Sequence, residues 1–385
     1  MKRVWVVWMA LVLALSGFSV KASAVELEVG GKSALLMDVA TGTILYEQNA
    51  HEKLPPASVT KVMTMLLIME AIDSGKIRWE DMVTASEAAA AKGGSQIYLK
   101  VGETMSVQDM LKSIAVSSAN DCACAMAEHL AGSEAAFVDR MNARAKELGM
   151  NDTNFVNCTG LDDGADAANH RTSAHDIALM SRELLKNHPG IKKFTTIWMD
   201  SVRNGTFGLS NTNKLIRFYS GATGLKTGFT SGAGYCLSAT AEREGMELIA
   251  VVMGCETSQQ RTAACKSMLD YGFANFAIIS PDLTDSPSEV PVTLGKERFV
   301  QAQLGADTGM LIDKAQRGSV TTEVTLEEGV TAPVSQGQRL GTMRIKAGEQ
   351  ILAEIPLVAS ECVERLSWGD LFVRVLRRAA MAKDL

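Results

Sequence analysis

The sequence predicts an α+β fold, in which an antiparallel sheet packs against a cluster of helices and is followed by a small all-β domain and a C-terminal amphipathic helix. The first observation behind this prediction is that strand-like runs stand on both sides of a long stretch with helical periodicity, all before Ser280. The second is a change of composition after Ser280, where five of the eight prolines fall and short strand patterns replace helical ones. Strands, then helices, then strands are typical of a sheet that both ends of a domain complete.

A hairpin of two strands and four helices are predicted in the first part of the chain. Residues 33–48 read as two short apolar strands joined in a hairpin. Apolar residues at helical spacing then predict a buried helix from Val59 to about Gly75. Ser106 is a suitable N-cap for the next helix. Small and apolar residues continue the helical spacing over Asp121–Leu130 and Glu134–Leu148.

The later part of the chain returns to strands. Two β-type runs cover residues 234–242 and 246–254, and a helix is predicted from Thr262 to about Ile278. Beyond it, Val320–Glu327 and Gln350–Val358 read as short strands of the small all-β domain.

The first 24 residues have the pattern of a secretory signal. A basic start is followed by an apolar run from Val4 to Val20 and by the small residues Ala22, Ser23 and Ala24. We expect cleavage after Ala24 and export; the alternative is an uncleaved membrane anchor. Export argues against cytosolic ATP- or NAD-dependent chemistry, and neither GxxxxGK[ST] nor GxGxxG occurs.

The last 20 residues predict a basic amphipathic helix that could lie in a membrane interface. The alternative is a terminal helix packed on its own domain. The predicted apolar face contains Trp368, Leu371, Phe372, Val375, Leu376 and Ala379, and the opposite face contains Arg374, Arg377 and Arg378.

The charge balance makes nucleic acid an unsuitable partner. The formal net charge is −6, and it becomes −9 without the leader, which carries three cations and no acid. Binding to a phosphate backbone depends on Lys and Arg that neutralise it. Any anionic ligand must therefore be met by locally placed cations.

Cysteine and histidine usage predicts neither a metal site nor a cofactor. Seven cysteines leave at least one unpaired, and small buried thiols are favoured over a disulfide framework. No CxxC or HExxH occurs, and the spacing of His170 and His175 would turn their rings apart on a helix.

Three short motifs carry the candidate chemistry: Ser58-Val59-Thr60-Lys61, Ser118-Ala119-Asn120 and Lys226-Thr227-Gly228. Ser58 stands at the start of a predicted helix, with Lys61 one turn further on. A serine hydroxyl becomes nucleophilic when a base takes its proton, and a lysine can be that base where burial or nearby cations lower its pKa. The alternative is that Ser58 only caps the helix and Lys61 is solvated.

The second and third motifs offer groups that bind or relay. Ser118 and Asn120 lie between two predicted helices and provide a hydroxyl and an amide. Lys226, Thr227 and Gly228 open a strand-rich segment and provide a cation, a hydroxyl and a close approach to the backbone. All three motifs in this order, in an exported chain of this architecture, are hard to explain by chance.

This motif set resembles that of the penicilloyl-serine transferases, in which SxxK, SxN and KTG line one cleft. Within that group the chain resembles the low-molecular-mass penicillin-binding proteins, serine-type D-alanyl-D-alanine carboxypeptidases of peptidase family S11. The stretches LPPASVTKVMT, NCTGLDD, KTGFTSGAGYCLSATAEREGMELIAVVMG and LDYGF extend the resemblance over essentially the whole chain. It implies a β-lactamase/transpeptidase-like catalytic domain. Two departures are Ala119, where glycine is common, and Phe229, where histidine is frequent in some members.

The resemblance implies acyl transfer in two steps. Ser58 would attack the carbonyl between two terminal D-alanines with Lys61 as general base, and Ser118 would relay the proton to the departing D-alanine. The backbone N–H groups of Ser58 and Phe229 would hold the oxyanion. The residues implied in substrate binding are Asn120 for the peptide amide, Lys226, Thr227 and Arg261 for the terminal carboxylate, and Gly228 and Phe229 beside them. For Arg261 the alternative is a solvated position on a helix surface.

From the resemblance we expect an enzyme that removes the terminal D-alanine from peptidoglycan stem pentapeptides, that β-lactams inhibit covalently, and that works at the outer face of the cytoplasmic membrane. The predicted segments are a signal peptide (1–24), a catalytic domain (25–279), a β-rich domain (280–365) and an anchor helix (366–385). An endopeptidase that cleaves cross-links is the nearest alternative. A β-lactamase is disfavoured because residues 152–182 contain no Glu to hold a water, and a penicillin sensor because no internal apolar span of membrane length occurs.

Overall fold

The computed structural model describes residue 27 and residues 29–164, 166–284, 286–305 and 309–381, with side chains up to residue 376. The predicted signal peptide lies outside these residues, as do the side chains of Arg377 and Arg378.

The strands of the described residues are numbered in chain order. They are β1 (Ser33–Asp38), β2 (Ile44–Gln48), β3 (Met82–Thr84), β4 (Thr104–Ser106), β5 (Met199–Val202), β6 (Phe207–Ser210), β7 (Ala222–Thr230), β8 (Gly234–Arg243), β9 (Met246–Cys255), β10 (Phe276–Ile279), β11 (Glu289–Thr293), β12 (Phe299–Leu304), β13 (Met310–Asp313), β14 (Val320–Leu326), β15 (Val330–Thr331), β16 (Arg339–Ala347) and β17 (Gln350–Ala359).

The helices are likewise numbered in chain order, and five of them follow one another between β4 and β5. The helices are α1 (Lys61–Asp73), α2 (Glu87–Ala90), α3 (Val107–Ser117), α4 (Asn120–Ala131), α5 (Glu134–Glu147), α6 (Ala174–Asn187), α7 (Lys192–Thr195), α8 (Leu215–Phe218), α9 (Ser258–Asn275) and α10 (Trp368–Met381), with short 3₁₀ turns at Ala57–Thr60, Ala167–Asn169, Pro189–Ile191 and Lys314–Ser319.

A five-stranded antiparallel sheet organises the first domain, in the order β2-β1-β9-β8-β7. Strands from both ends of the domain complete it, which confirms the predicted arrangement. Successive residues of a strand point to opposite faces, and in β1 both faces are buried. Leu35 and Met37 enter a core shared with the helical cluster, whereas Ala34 and Leu36 enter a core under α9.

The predicted hairpin and the first helices form where the local sequence favours them. Asp38 closes the hairpin turn, since its carboxylate accepts hydrogen bonds from the N–H and hydroxyl of Thr41 at 2.7 Å each. Ser106 caps α3 by accepting a bond from the N–H of Asp109 at 3.1 Å. Nine of the 13 residues of α1 are buried, so this helix lies largely inside the domain.

The helix predicted over Thr262–Ile278 differs from the observed α9 at both ends. The hydroxyl of Thr257 accepts a hydrogen bond from the N–H of Gln260, so the helix begins at Ser258. It ends at Asn275 because the following apolar residues form β10, which pairs with β13. A short apolar run fits a strand as well as a helix end, which explains the error.

The C-terminal β domain contains a six-stranded sheet in the order β14-β16-β17-β12-β11-β15. The strands predicted over Val320–Glu327 and Gln350–Val358 correspond to β14 and β17 within one residue at each end. Inward residues of the sheet form a separate core, which includes Met343 and Ile345 of β16 and Leu357 of β17.

The last helix leaves its apolar side chains uncovered over the described part. Trp368 is 89% exposed and Phe372 66% exposed, while the guanidinium of Arg374 donates to the carbonyls of Gly295 and Lys296. The apolar face therefore does not pack on the β domain. Among the residues described, we find no helix with the length and apolarity that crossing a membrane requires.

All seven cysteines are free thiols, and six of them are buried. The exception is Cys362, which is exposed. This confirms the interpretation of the buried six as small apolar groups.

Candidate active site

The first motif places a serine and a lysine in direct contact. Ser58 lies in the 3₁₀ turn that leads into α1, and Lys61 is the first residue of that helix. The Lys61 Nζ donates to Ser58 Oγ at 2.8 Å and to the carbonyl of Thr159 at 2.9 Å. The Ser58 side chain caps neither the turn nor α1, so the simple capping interpretation is wrong.

Burial changes the protonation of Lys61. Its side chain has no solvent exposure, and removal from water disfavours the charged ammonium. Burial therefore lowers the pKa of Lys61 to about 7, although Cys158 and Asp121 act in the opposite direction. A lysine with this pKa is partly a free amine at neutral pH and can accept a proton.

A loop over residues 157–161 brings the Thr159 carbonyl to Lys61. The side chain of Asn157 shapes the loop, since its Oδ1 accepts from the N–H groups of Thr159 and Gly160 at 3.1 and 2.6 Å. Gly160 has φ +84°, and a Cβ there would lie 1.8 Å from the carbonyl oxygen of Ala57. Only glycine allows the loop to touch the turn that carries Ser58.

In the second motif, Ser118 and Ala119 lie between α3 and α4, as predicted, and Asn120 is the first residue of α4. Ser118 has φ +62°, which is a strained left-handed conformation for a serine. Its Oγ is buried and has no hydrogen-bond partner among the described residues. The Asn120 Nδ2 donates to the carbonyl of Gly93 at 2.7 Å, while its Oδ1 is buried and, within the described part of the chain, unpartnered. Buried polar atoms without partners are costly in a fold, and a ligand could satisfy these two.

The third motif runs along β7, which is an edge strand of the five-stranded sheet. An edge strand has backbone groups free to pair with a peptide. A Cβ on Gly228 would lie 2.6 Å from the carbonyl of Pro56 and 3.1 Å from the backbone nitrogen of Ser58. The absence of a side chain at Gly228 thus lets β7 contact the Ser58 turn directly.

Lys226 and Thr227 are neighbours in β7, and both side chains form hydrogen bonds within the domain. Lys226 is 1% exposed and its Nζ donates to the carbonyl of Thr227 at 2.9 Å. Burial, followed by the charges of Lys61 and Arg261, lowers the pKa of Lys226 well below its usual value. The Thr227 hydroxyl donates to that of Thr212 at 2.7 Å, which connects β7 to the end of α3 through the Thr212 N–H.

Arg261 and Phe229 complete the predicted set. Arg261 is 7% exposed, and its Nη1 donates to the carbonyls of Gly228 and Cys236 at 3.2 and 3.3 Å. A solvated surface position is therefore wrong for Arg261. Phe229 is 54% exposed and its ring stacks on Tyr235 with a centroid distance of 4.3 Å.

Two residues contact this site although no sequence pattern predicted that they would. Thr159 contributes a backbone carbonyl, which has no side-chain signature. His170 contacts Thr60 from 110 positions away along the chain. The NCTGLDD stretch, which contains Thr159, was part of the family resemblance, but the resemblance implied no role for it.

Metal ligation finds little support in the described residues. Their one group of potential ligands within 4.8 Å of one another consists of Glu70, Glu183 and His188. Both carboxylates form ion pairs with Arg144 at 2.7 Å, so a cation already occupies the space between them.

Comparison with known proteins agrees with this geometry. Residues 19–257 match the peptidase S11 family, described as D-alanyl-D-alanine carboxypeptidase, and residues 282–365 match the C-terminal domain of penicillin-binding protein 5. The chain is 43% identical to the D-alanyl-D-alanine carboxypeptidase DacF of Bacillus subtilis over 92% of this chain and 90% of that protein. It is 34% identical to DacC of Escherichia coli over 90% and 87%.

A solved structure agrees with these matches, whereas a more distant relative has a different activity in its name. Penicillin binding protein 5 from Haemophilus influenzae superimposes with a TM-score of 0.73 at 31% identity, covering 88% of this chain and 98% of that one. A D-alanyl-D-alanine endopeptidase of Pseudomonas aeruginosa is 33% identical but matches only 54% of this chain and 66% of its own length. The full-length carboxypeptidases therefore fit better than the endopeptidase. Taken with the Ser58–Lys61 contact, these matches show that the chain belongs to the D-alanyl-D-alanine carboxypeptidase family, peptidase S11, and is a serine-type carboxypeptidase.

Proposed function

We propose that the chain removes the terminal D-alanine from peptidoglycan stem peptides through an acyl-enzyme on Ser58, with Lys61 as the general base. The observation that carries this assignment is the 2.8 Å contact between a buried lysine amine and a partly exposed serine hydroxyl. A pKa of about 7 for Lys61 suits a general base at neutral pH.

Acylation begins when the hydroxyl of Ser58 gives its proton to the neutral amine of Lys61. The Ser58 Oγ then attacks the carbonyl of the penultimate D-alanine, and the negative charge forms on the carbonyl oxygen. The backbone N–H groups of Ser58 and Phe229 are the proposed oxyanion donors, since Gly228 keeps the two segments in contact.

Collapse of this intermediate breaks the bond to the terminal D-alanine. The proton that Lys61 received passes through Ser118 to the leaving amine, which departs as free D-alanine. The hydroxyl of Ser118 supports this relay, since it is buried and has no hydrogen-bond partner in the described part of the chain. A water molecule then attacks the ester, Lys61 takes its proton, and Ser58 recovers its hydroxyl as the shortened peptide leaves.

Substrate binding depends on cations near β7. Lys226 and Thr227 are the proposed contacts for the terminal carboxylate, together with Arg261, and Asn120 holds the peptide amide. A bound carboxylate would oppose the effect of burial and raise the pKa of Lys226.

The proposed location is the outer face of the cytoplasmic membrane. The leader pattern supports export, and the uncovered apolar side chains of α10 support attachment to a lipid surface. Trp368 and Phe372 would enter the interface.

The substrate assignment is tested by incubating the purified protein with a peptide that ends in D-Ala-D-Ala and, separately, with a cross-linked peptide dimer. We expect release of D-alanine from the first substrate, complete loss of this release in Ser58→Ala, and slower or no cleavage of the dimer. Preferential cleavage of the dimer would instead identify an endopeptidase.

A further inference from the structure

His170 is a buried histidine that the proposed reaction does not use. It is 3% exposed, and its ring lies edge-on to Phe155 at a centroid distance of 5.7 Å. The N–H of Val156 donates to Nδ1 at 3.0 Å, which requires Nδ1 to be unprotonated. Burial, with Arg171 as a smaller cause, lowers the pKa of His170 to about 4, so the ring stays neutral and carries its proton on Nε2.

The protonated nitrogen points at the turn that carries the nucleophile. The Nε2–H donates to the hydroxyl of Thr60 at 2.7 Å, and this hydroxyl donates to the carbonyl of Ala57 at 2.8 Å. The direction of each bond follows from the tautomer, because Thr60 has one hydroxyl proton to give. His170 is thus hydrogen-bonded directly to Thr60 and, through the Thr60 hydroxyl, to Ala57. These two residues flank Ser58 and Val59 in the turn.

The other side of His170 holds the loop that contacts Lys61. Val156 stands three residues before Thr159, whose carbonyl accepts from Lys61 Nζ at 2.9 Å. A neutral amine has two protons and one lone pair. Fixing one proton on Thr159 constrains the direction of the lone pair, and the lone pair must face the Ser58 hydroxyl for proton transfer.

We propose that His170 and Thr60 are positioning residues that join the Thr159 loop to the Ser58 turn, so that both partners of Lys61 are held in register. This inference rests on the proposed function of Ser58 and Lys61. It predicts a loss in the rate of acylation with little change in substrate binding, because neither residue is placed against the substrate.

The experiment compares Thr60→Val, which removes the hydroxyl at nearly constant volume, with Thr60→Ser, which keeps it. The rate constant of acylation and the dissociation constant of the preceding complex are measured with a fluorescent penicillin. Thr60→Val is expected to acylate about 10- to 100-fold more slowly, as expected for a small misplacement of reacting groups, with an unchanged dissociation constant. Thr60→Ser is expected within about threefold of wild type, since it restores the bond.

A matched control separates positioning from general stability. Thr195 is equally buried, and its hydroxyl also donates to a backbone carbonyl, that of Thr223, at 2.6 Å. Thr195→Val is expected to lower the melting temperature about as much as Thr60→Val but to acylate at the wild-type rate. His170→Asn, which loses the bond to Thr60, should reproduce the slow acylation of Thr60→Val, and the double variant should be no slower than either single one.

Wild-type acylation in folded Thr60→Val would overturn the inference, as would independent, multiplicative losses in the double variant. Equal losses in Thr60→Val and Thr195→Val would also overturn it, because they would indicate a structural effect only. If the wild-type protein formed no penicillin adduct, the proposed function itself would fail, which is a distinguishable result.

Discussion

Lys61 is the residue on which the proposed chemistry depends, because the fold keeps its amine buried and next to a nucleophile. A charged ammonium in this position would be poorly solvated, and the pKa is lowered to about 7 for that reason. Ordinary surface lysines stay protonated far above neutral pH. A strongly perturbed titratable group beside a partly exposed serine is a physical mark of an active site.

The first prediction concerns the pH dependence of acylation. Lys61 accepts a proton only as the neutral amine, and this form is lost as the pH falls through about 7. The rate constant of acylation by penicillin is therefore expected to rise with pH between about 5 and 7 and then to level off, and stopped-flow measurement checks this. A profile that stays flat over this range would contradict the assignment of Lys61.

Lys61→Arg provides a companion test of the same group. Arginine keeps the positive charge but does not deprotonate in proteins, so it cannot act as a base. At pH 7 and above we expect acylation to fall by at least ~10²–10⁴-fold, the range attributed to general-base catalysis. Near-normal turnover would mean that another base operates.

A second prediction uses the close approach of β7 to the nucleophile. A methyl group on Gly228 would collide with the carbonyl of Pro56, so Gly228→Ala must displace β7 or the Ser58 turn. We expect acylation to fall by at least about tenfold. Gly208→Ala in β6 is the control, because a Cβ there meets nothing within 4 Å. Equal acylation by the two variants would show that this contact is not required.

Side-chain type and spacing predicted that Ser58 and Lys61 form a pair, and the structure brings these two side chains into contact. Ser118, Lys226 and Arg261 are all buried, and their catalytic and binding roles stay predictions. The Thr159 carbonyl and His170 could not be predicted. The first is a backbone group, which has no side-chain pattern. Both contacts join residues far apart in the chain, 98 positions for Thr159 and Lys61 and 110 positions for His170 and Thr60.

At the scale of elements, local chemistry predicted part of the fold, including the β1–β2 hairpin, α3 to α5 and the β8–β9 pair, but not the 14-residue α6. Caps such as Ser106 and alternating apolar strands such as β9 have signals that lie within a few residues. The predicted end of α9 was wrong because Phe276–Ile279 pairs with β13 and is therefore a strand. Such a pairing is a long-range property, which a local pattern cannot contain.

A third prediction concerns the loop that His170 joins to the turn before α1. The folded ring has a pKa of about 4, against an ordinary value of 6.5. Between these values the unfolded chain binds a proton that the folded chain does not, so stability is lost as the pH falls from 6.5 to 4. The loss attributable to His170 is about 2 kcal/mol by pH 5.

Urea denaturation of wild type and His170→Gln at pH 7 and pH 5 measures this contribution. Glutamine keeps a donor toward Thr60 but does not titrate. The free energy of unfolding of wild type minus that of His170→Gln is expected to be about 2 kcal/mol smaller at pH 5 than at pH 7. An equal difference at both pH values would show that folding does not lower the pKa of His170.

At the scale of the whole molecule, a helix-rich catalytic domain, a β domain and a terminal helix follow one another along the chain. The change of composition after Ser280 predicted this division, because proline and short strand patterns exclude long helices. The apolar side of α10 was predicted from periodicity, and the structure leaves it uncovered.

The fourth prediction is that truncation after Leu366 releases the mature protein from membranes. The deletion removes Trp368 and the apolar residues beside it while the core of the β domain stays intact. Phe372→Asp places a charge on the same face and should weaken binding to anionic vesicles without a deletion. Truncated protein that stays in the membrane fraction would identify the leader as the anchor.

The most direct test of the central claim is the intact mass of the protein after incubation with penicillin. Opening of the β-lactam ring releases no leaving group, so acylation adds the full mass of one penicillin molecule. Wild type is expected to gain this mass, and Ser58→Ala is expected to gain nothing. An unmodified wild-type protein, or an adduct that persists in Ser58→Ala, would contradict the assignment of Ser58 as the nucleophile.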